Sequence, residues 1–194
     1  VGWDDPSVEL LWRYNQHYFD DLNADGAPQR RAWQRDLITL WIAANAPGQG
    51  TGWAPYPVSL RIVNWIKCFA GGEVAEPAAV FSLAVQARWL GQRLEWHLLG
   101  NHLFANAKAL VFAGLFFDGE EAQAWLAQGL SILDTEIPEQ ILSDGGQFER
   151  SPMYHALALE DLLDLINLLQ AAGGTSPLLP DLRQRSSVML HWLR

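Results

Sequence analysis

The sequence contains little that would support redox chemistry, a disulfide or a membrane anchor. Cys68 is its single cysteine, which excludes an internal disulfide and any cysteine-rich metal site. No apolar run approaches the roughly 20 residues that a membrane-spanning helix requires, because the two most apolar stretches, 111–117 and 162–172, are short or interrupted by Asp164. The first residues also lack the basic segment and apolar core of a signal peptide, which is expected to be absent or already removed.

Positive charge is also scarce. The chain has 13 lysines and arginines against 22 aspartates and glutamates, a formal net charge of −9. This balance argues against a nucleic-acid partner, because such binding relies on a basic surface that releases counterions. An acidic polysaccharide would have to be recognised by a local basic cluster, for which the candidates are Arg13, Arg61, Lys67 and Arg150.

The composition describes a packed globular protein. Of the 194 residues, 49% are hydrophobic and only 18% are charged, which is unlike a disordered chain. Ten tryptophans are present, and aromatic faces suit both core packing and the apolar faces of sugar rings. Most of the ten are expected in the core.

Apolar residues recur at spacings of three and four, and no run of strict alternation is found, so the chain is predicted to be all-α. Short loops rich in Gly, Pro and Asp favour antiparallel helical hairpins in a bundle or part of an α/α toroid, and the absence of a repeat disfavours a solenoid. Because the last helix runs to Arg194 without a stop signal, residues 1–194 are expected to form a single helical domain of a longer protein. Helices are predicted over residues 7–22, 29–46, 58–70, 77–96, 101–117, 120–135, 152–172 and 180–193.

The segment HLLGNHLFANAKAL, residues 97–110, places polar groups in an apolar stretch, where they are costly to bury without partners. Helical spacing puts His97, Asn101 and Lys108 on one face and His102 and Asn106 on another. Gly100 can start a new helix, so that Asn101 and His102 would lie in a first turn that favours an anion such as a carboxylate. The alternative is that these side chains only satisfy one another in a core.

A second segment, DGGQFERSPMYHALALEDLLDL, has a readable helix start. Ser151 can cap the helix and the following proline suits its first position. Tyr154 then lies in the first turn, close in sequence to Arg150, and both the helix dipole and the arginine favour a phenolate that can transfer protons. His155 aligns with an apolar stripe and is predicted to be a core histidine.

A third segment, GTGWAPYPVSLRIVNWIK, combines an aromatic loop with an arginine. Arg61 is a candidate clamp for a carboxylate while Trp53 or Tyr56 stacks on a sugar; the alternative is that Arg61 ties the loop to the helix. The fourth, LLWRYNQHYFDDL, is interpreted as an N-terminal helix packed by its aromatic residues. No two histidines have a spacing of three or four and HExxH is absent, so neither a metal nor another cofactor is expected.

Together, in order and spacing, the four segments resemble the N-terminal helical domain of heparinase II/III-like proteins, which include lyases acting on heparan-type chains and alginate. The resemblance implies an incomplete α/α toroid followed by a β-sandwich domain that this chain does not contain, and a periplasmic or cell-envelope location. It implies that Asn101 neutralises a uronate carboxylate, with His102 as a companion hydrogen-bond donor, and that Tyr154 transfers protons. Substrate-binding residues are expected around the cleft at Trp53, Tyr56, Arg61, His97, Glu149 and Arg150.

Two departures from the family pattern accompany the resemblance. Gln147 stands where relatives often have histidine, and the second catalytic histidine of family lyases would come from the β domain. Three functions are therefore open: a lyase that cleaves uronic-acid-containing polysaccharide by β-elimination, a glycoside hydrolase using Asp144 and Glu149 as acid and base, and a non-catalytic saccharide-binding or assembly module.

Overall fold

The computed structural model describes residues 2–73, 75–98 and 100–193; Leu99 of the polar segment and Arg194 of the predicted domain lie outside this range. The predicted fold class is confirmed: the chain is all-α, an incomplete α/α toroid. Short 3₁₀ turns at Asp20–Asn23, Ala27–Arg30 and Thr51–Trp53 separate its first helices. The α-helices are α1 (Leu10–Asn15), α2 (Arg31–Ala44), α3 (Pro55–Ala70), α4 (Pro77–Gly91), α5 (Asn101–Phe116), α6 (Glu120–Gln140), α7 (Pro152–Ala171) and α8 (Leu179–Trp192).

Helix α5 is the centre of the molecule. Every residue from 103 to 114 is buried, as expected for a helix that is apolar on nearly all sides. It packs along α6 in a hairpin and also contacts α3, α4 and α7, while α7 pairs with α8. Gly114 and Gly129 allow the α5–α6 contact, since a Cβ at either position would lie 2.6 or 2.7 Å from backbone of the other helix.

Two hydrophobic cores flank α5. The first lies mainly among α2, α3 and α4 and contains Trp41, Trp53 and Trp65; the second lies among α5, α6, α7 and α8 and is aliphatic apart from Phe104. Four of the ten tryptophans are buried, two more pack against the first core, and Trp12, Trp33, Trp96 and Trp192 are exposed. The core therefore takes six of the ten, as the composition predicted.

Three predicted helix boundaries are wrong. Helix α1 ends at Asn15: the next three amides bond carbonyl groups three residues back, and Phe19 then adopts a left-handed conformation (φ 63°), which a helix continuing to residue 22 could not contain. Helix α4 ends at Gly91, and the amide of Glu95 donates to the side chain of Asn106 instead of continuing a helical ladder. Helix α6 continues to Gln140 through Pro138. Within the described ranges, no helix combines the length and apolar character needed to cross a bilayer.

Candidate functional site

One cleft of about 980 Å³ opens between the N-terminal segment and helices α3, α5 and α7. Helical spacing explains its walls, because residues three, four or seven apart project from the same face of a helix. The three helices contribute stripes consisting of Tyr56, Leu60, Val63, Asn64 and Lys67 from α3, Asn101, His102, Ala105 and Lys108 from α5, and Met153, Tyr154, Leu157, Glu160, Asp161 and Asp164 from α7.

Asn101 lies at the first position of α5, as predicted. Gly100 precedes it as the N-cap with φ 89°, a conformation that residues with a side chain rarely adopt. The Asn101 Nδ2 group donates to the Tyr56 hydroxyl at 3.2 Å. The side-chain amide thus lines the cleft beside the unpaired N–H groups of a helix N-terminus, an arrangement that suits a bound carboxylate.

His102 lines the cleft next to Asn101. Its ring packs against the ring of Tyr56, with centroids 4.5 Å apart and planes at 34°. Its Nδ1 lies 3.1 Å from a carboxylate oxygen of the buried Glu95, so one ring nitrogen is bonded inside the protein.

Tyr154 lies in the first turn of α7, which forms another wall of the cleft. The predicted cap is confirmed, because the Ser151 hydroxyl accepts a hydrogen bond from the Tyr154 amide at 3.5 Å. Asn101, His102 and Tyr154 all line the same cleft, although Tyr154 is about fifty residues from the other two. The structure therefore brings the three together; their chemical roles remain predictions.

All four tyrosines of the chain line this cleft: Tyr14, Tyr18, Tyr56 and Tyr154. Burial raises the pKa of Tyr56 to about 12, and the nearby Asp161 and Tyr154 add to the increase. Tyr56 is therefore a neutral phenol at ordinary pH. Because its oxygen already accepts from Asn101, its own proton is available to a ligand.

The predictions that Arg61 and Trp53 bind substrate are wrong. Arg61 is fully buried: its Nε donates to Gln86 Oε1 at 2.8 Å, and its guanidinium lies 3.8 Å from the ring centroid of Trp41. Burial lowers its pKa well below the ordinary value. Trp53 is 3% exposed and donates to the Asn45 carbonyl oxygen. Both residues hold the loop before α3 against the core, which is the alternative that the sequence left open for Arg61.

Three other predicted contacts lie outside the cleft lining. His97, Glu149 and Arg150 are exposed and are not among the residues that line it. Asp144 is also exposed, and its carboxylate accepts from the Gly146 amide at 2.9 Å. With neither Asp144 nor Glu149 in the cleft, the hydrolase hypothesis loses its acid and base. His155 is a core histidine, as predicted, at 1% exposed.

An ionic network on the cleft wall was not predicted from the sequence. Lys108 donates to Asp161 at 2.7 Å and to Asp164 at 2.6 Å, and Lys67 donates to Asp164 at 2.9 Å. Burial opposes the charge of Lys108, but the two carboxylates outweigh it and raise the pKa of the lysine. The sequence contained one signal for this network. The seven-residue spacing of Asn101 and Lys108 correctly predicted that both side chains lie on one face of α5.

No group of three or more His, Cys, Asp and Glu side chains in the described part of the chain is arranged to hold a metal ion. The side chains that line the cleft carry amide, imidazole, phenol, carboxylate and ammonium groups. Such a set can bind a polar ligand and move protons.

Comparison with known proteins identifies relatives. A family model for the heparinase II/III N-terminus matches residues 30–192. A heparin-sulfate lyase of Bacteroides stercoris is 40% identical over 75 residues, covering 38% of this chain and 11% of that protein. An FtsZ-localized protein C of Caulobacter vibrioides is 29% identical over 184 residues, covering 90% of this chain and 31% of that protein.

A solved structure has the same fold. The crystal structure of a heparan sulfate lyase mutant from Pedobacter heparinus superposes with a TM-score of 0.68 at 24% sequence identity. The match covers 100% of this chain and 33% of that chain. The chain thus spans a third or less of the length of these relatives.

Proposed function

The chain belongs to the heparinase II/III N-terminal family, and from this premise we propose that it is the helical domain of a polysaccharide lyase that cleaves uronic-acid-containing chains by β-elimination. The observation that carries the proposal is the convergence of Asn101, His102 and Tyr154 on one large cleft. Sequence-distant polar groups gathered in a wet cleft indicate a ligand site, because core packing alone would not collect them there.

The reaction explains these residue types. In β-elimination a base removes the proton on C5 of the uronate, a double bond forms between C4 and C5, and the C4–O4 bond breaks. Negative charge develops on the carboxylate side of C5, where hydrogen-bond donors lower its energy. Asn101 Nδ2 and the free N–H groups at the start of α5 supply such donors, and the leaving O4 takes a proton from an acid.

Tyr154 is proposed as a proton-transfer residue on the α7 wall of the cleft. A sugar bound between α5 and α7 would present its carboxylate to Asn101 and its reacting face to Tyr154. Tyr56, as a neutral phenol hydrogen-bonded to Asn101, is proposed to help bind the same carboxylate. The β-sandwich domain and the cell-envelope location expected from the resemblance remain part of this proposal.

A non-catalytic saccharide-binding or assembly module is the second candidate. The observation that favours it is the match over 90% of the chain to a protein described as FtsZ-localized, a description that names no lyase activity. Such a module would bind saccharide in the same cleft without releasing product.

The test is to incubate the full-length protein with heparan sulfate, alginate and hyaluronan and to record ultraviolet absorbance from the unsaturated uronate product. We expect product with at least one substrate and a loss of roughly 10²- to 10⁴-fold in kcat for Tyr154→Phe, the range for removal of an acid–base group. Tyr14→Phe, which removes another cleft phenol, should change KM more than kcat. Saccharide binding without product across the panel would instead support the binding module.

A further inference from the structure

Behind His102 lies a chain of buried hydrogen bonds that reaches from the cleft into the core. The His102 Nδ1 lies 3.1 Å from Glu95 Oε1, and the other Glu95 oxygen accepts from Asn106 Nδ2 at 3.1 Å. Asn106 is fully buried and also donates to the Ser59 hydroxyl at 3.0 Å, which in turn donates to the Pro55 carbonyl oxygen at 2.9 Å.

The direction of each bond from Pro55 to Glu95 is fixed. The Pro55 carbonyl can only accept, so Ser59 donates to it and is left to accept from Asn106. The Asn106 Oδ1 accepts from the Glu95 backbone amide at 2.9 Å, which sets the orientation of the Asn106 amide and turns its NH₂ group towards Glu95. Glu95 therefore receives a donor on one oxygen and presents its other oxygen as an acceptor to His102.

This arrangement selects one form of the His102 ring. When the Glu95 carboxylate accepts a hydrogen bond from Nδ1, the proton of the ring must be on Nδ1. In a neutral ring, Nε2 is then unprotonated and has a lone pair. The Glu95 side chain is 9% exposed and that of His102 is 32% exposed, so the carboxylate side is buried while the ring reaches the cleft. Among the described residues, no protein group bonds Nε2.

We propose that Glu95 is a positioning residue that holds His102 as the Nδ1–H tautomer and presents Nε2 to the cleft as a proton acceptor. The inference rests on the proposed elimination and refines it: His102 takes the C5 proton instead of donating to the carboxylate beside Asn101. The C5–H electron pair forms the C4–C5 double bond, the C4–O4 pair leaves with O4, and O4 takes the Tyr154 proton. Solvent then returns a proton to Tyr154 and removes one from His102.

The direct test is nitrogen-15 NMR of the histidine side chains at neutral pH, which distinguishes a protonated from an unprotonated ring nitrogen. The chain has five histidines, and His102→Gln identifies the signals of His102. We expect a neutral ring with the proton on Nδ1 in the wild type, and a fall in that population in Glu95→Gln, which keeps the shape of the side chain and removes its charge. A neutral ring protonated on Nε2, an imidazolium, or a tautomer unaffected by Glu95→Gln would overturn the proposal.

The matched control is Glu139→Gln, the same change at an exposed position on α6, which should leave the His102 signals unchanged. In turnover assays of the full-length protein, Glu95→Gln should lower kcat by about 10- to 100-fold with KM within about two-fold, because ring orientation affects the chemical step and not binding. Equal effects on kcat and KM would contradict the positioning role. Expected NMR results in a protein that forms no product would refute the proposed function while leaving the tautomer assignment in place.

Discussion

At the scale of single residues, Asp164 has the most demanding position in the cleft. Its carboxylate accepts from Lys108 at 2.6 Å and from Lys67 at 2.9 Å, and its side chain is only 14% exposed. Burial alone would raise the pKa of Asp164, but the two ammonium groups outweigh burial and lower it from its ordinary value of 3.8. This carboxylate joins α7 to both α3 and α5 and so connects the walls of the cleft.

We expect Asp164→Asn to destabilise the protein by about 3 kcal/mol at pH 7, because it leaves the buried ammonium of Lys108 with one carboxylate and Lys67 with none. Since the folded pKa lies below the unfolded one, this contribution is fully present above pH ~4 and is lost as the pH falls through the folded value. Urea unfolding of both proteins across this range measures the difference.

The control for that experiment is Asp181→Asn, which removes a carboxylate from the more exposed pair with Arg185 on α8. An exposed pair of this kind contributes under about 1 kcal/mol. A stability difference for Asp164→Asn that is no larger than that of the control, or one that is unchanged in acid, would mean that the ion network carries no net stabilisation.

At the scale of elements, the start of α5 fixes the position of Asn101. Gly100 has φ 89° and ψ −147°, and Gly119 at the start of α6 has φ 98° and ψ 179°; both conformations belong to a region occupied essentially by glycine. A Cβ at Gly100 would lie 3.0 Å from a Glu149 carboxylate oxygen, whereas a Cβ at Gly119 would meet nothing within 4 Å. The two glycines form a matched pair.

We expect Gly100→Ala and Gly119→Ala to destabilise the protein by a similar amount, about 1 to 3 kcal/mol, because the backbone strain is the same. Only Gly100→Ala should also weaken saccharide binding, since relaxation of the strain moves Asn101 relative to Tyr56. Thermal unfolding and calorimetry with uronate oligosaccharides separate the two effects. Equal losses of affinity in both variants would show that the helix start does not position the site.

The elements also show what the sequence could and could not predict. The starts of α5 and α7 could be predicted because the residues responsible act locally. Gly100 supplies backbone freedom, Ser151 caps the helix, and Pro152 has a fixed φ. The early end of α4 could not be predicted: the segment that follows Gly91 is bonded through the Glu95 amide to Asn106, eleven residues further along the chain. Helical periodicity cannot report such a contact.

The same division holds for the site. Asn101, His102 and Tyr154 were found because their type and family pattern are visible in the sequence. Arg61 and Trp53 were misplaced because their burial depends on contacts with Trp41 and Gln86, which are distant in the sequence and which the local sequence does not report. Glu95 was missed for a similar reason, since its partner His102 lies across a turn.

At the scale of the whole molecule, the cleft has a negative formal charge, as the whole chain does. Four carboxylates line it, those of Asp20, Glu160, Asp161 and Asp164, against two lysines, which leaves a formal charge of −2 with His102 neutral. Both lysines are already paired with aspartates. Among the described residues, the cleft therefore offers no free cation to a sulfate group.

This charge distribution predicts selectivity against highly sulfated chains. We expect calorimetry to show tighter binding of unsulfated uronate oligosaccharides, such as those of hyaluronan, than of heparin, because the acidic cleft repels sulfates while Asn101 and the α5 N-terminus are proposed to bind a single carboxylate. The affinity for heparin should not fall between low and physiological ionic strength, because added salt screens a repulsion and not an attraction. Glu160→Lys, at a cleft residue on α7, should strengthen heparin binding more than hyaluronan binding and make the heparin affinity fall as salt is added. If the wild type binds heparin more tightly, with an affinity that falls steeply as salt is added, cations outside the cleft lining determine its substrate.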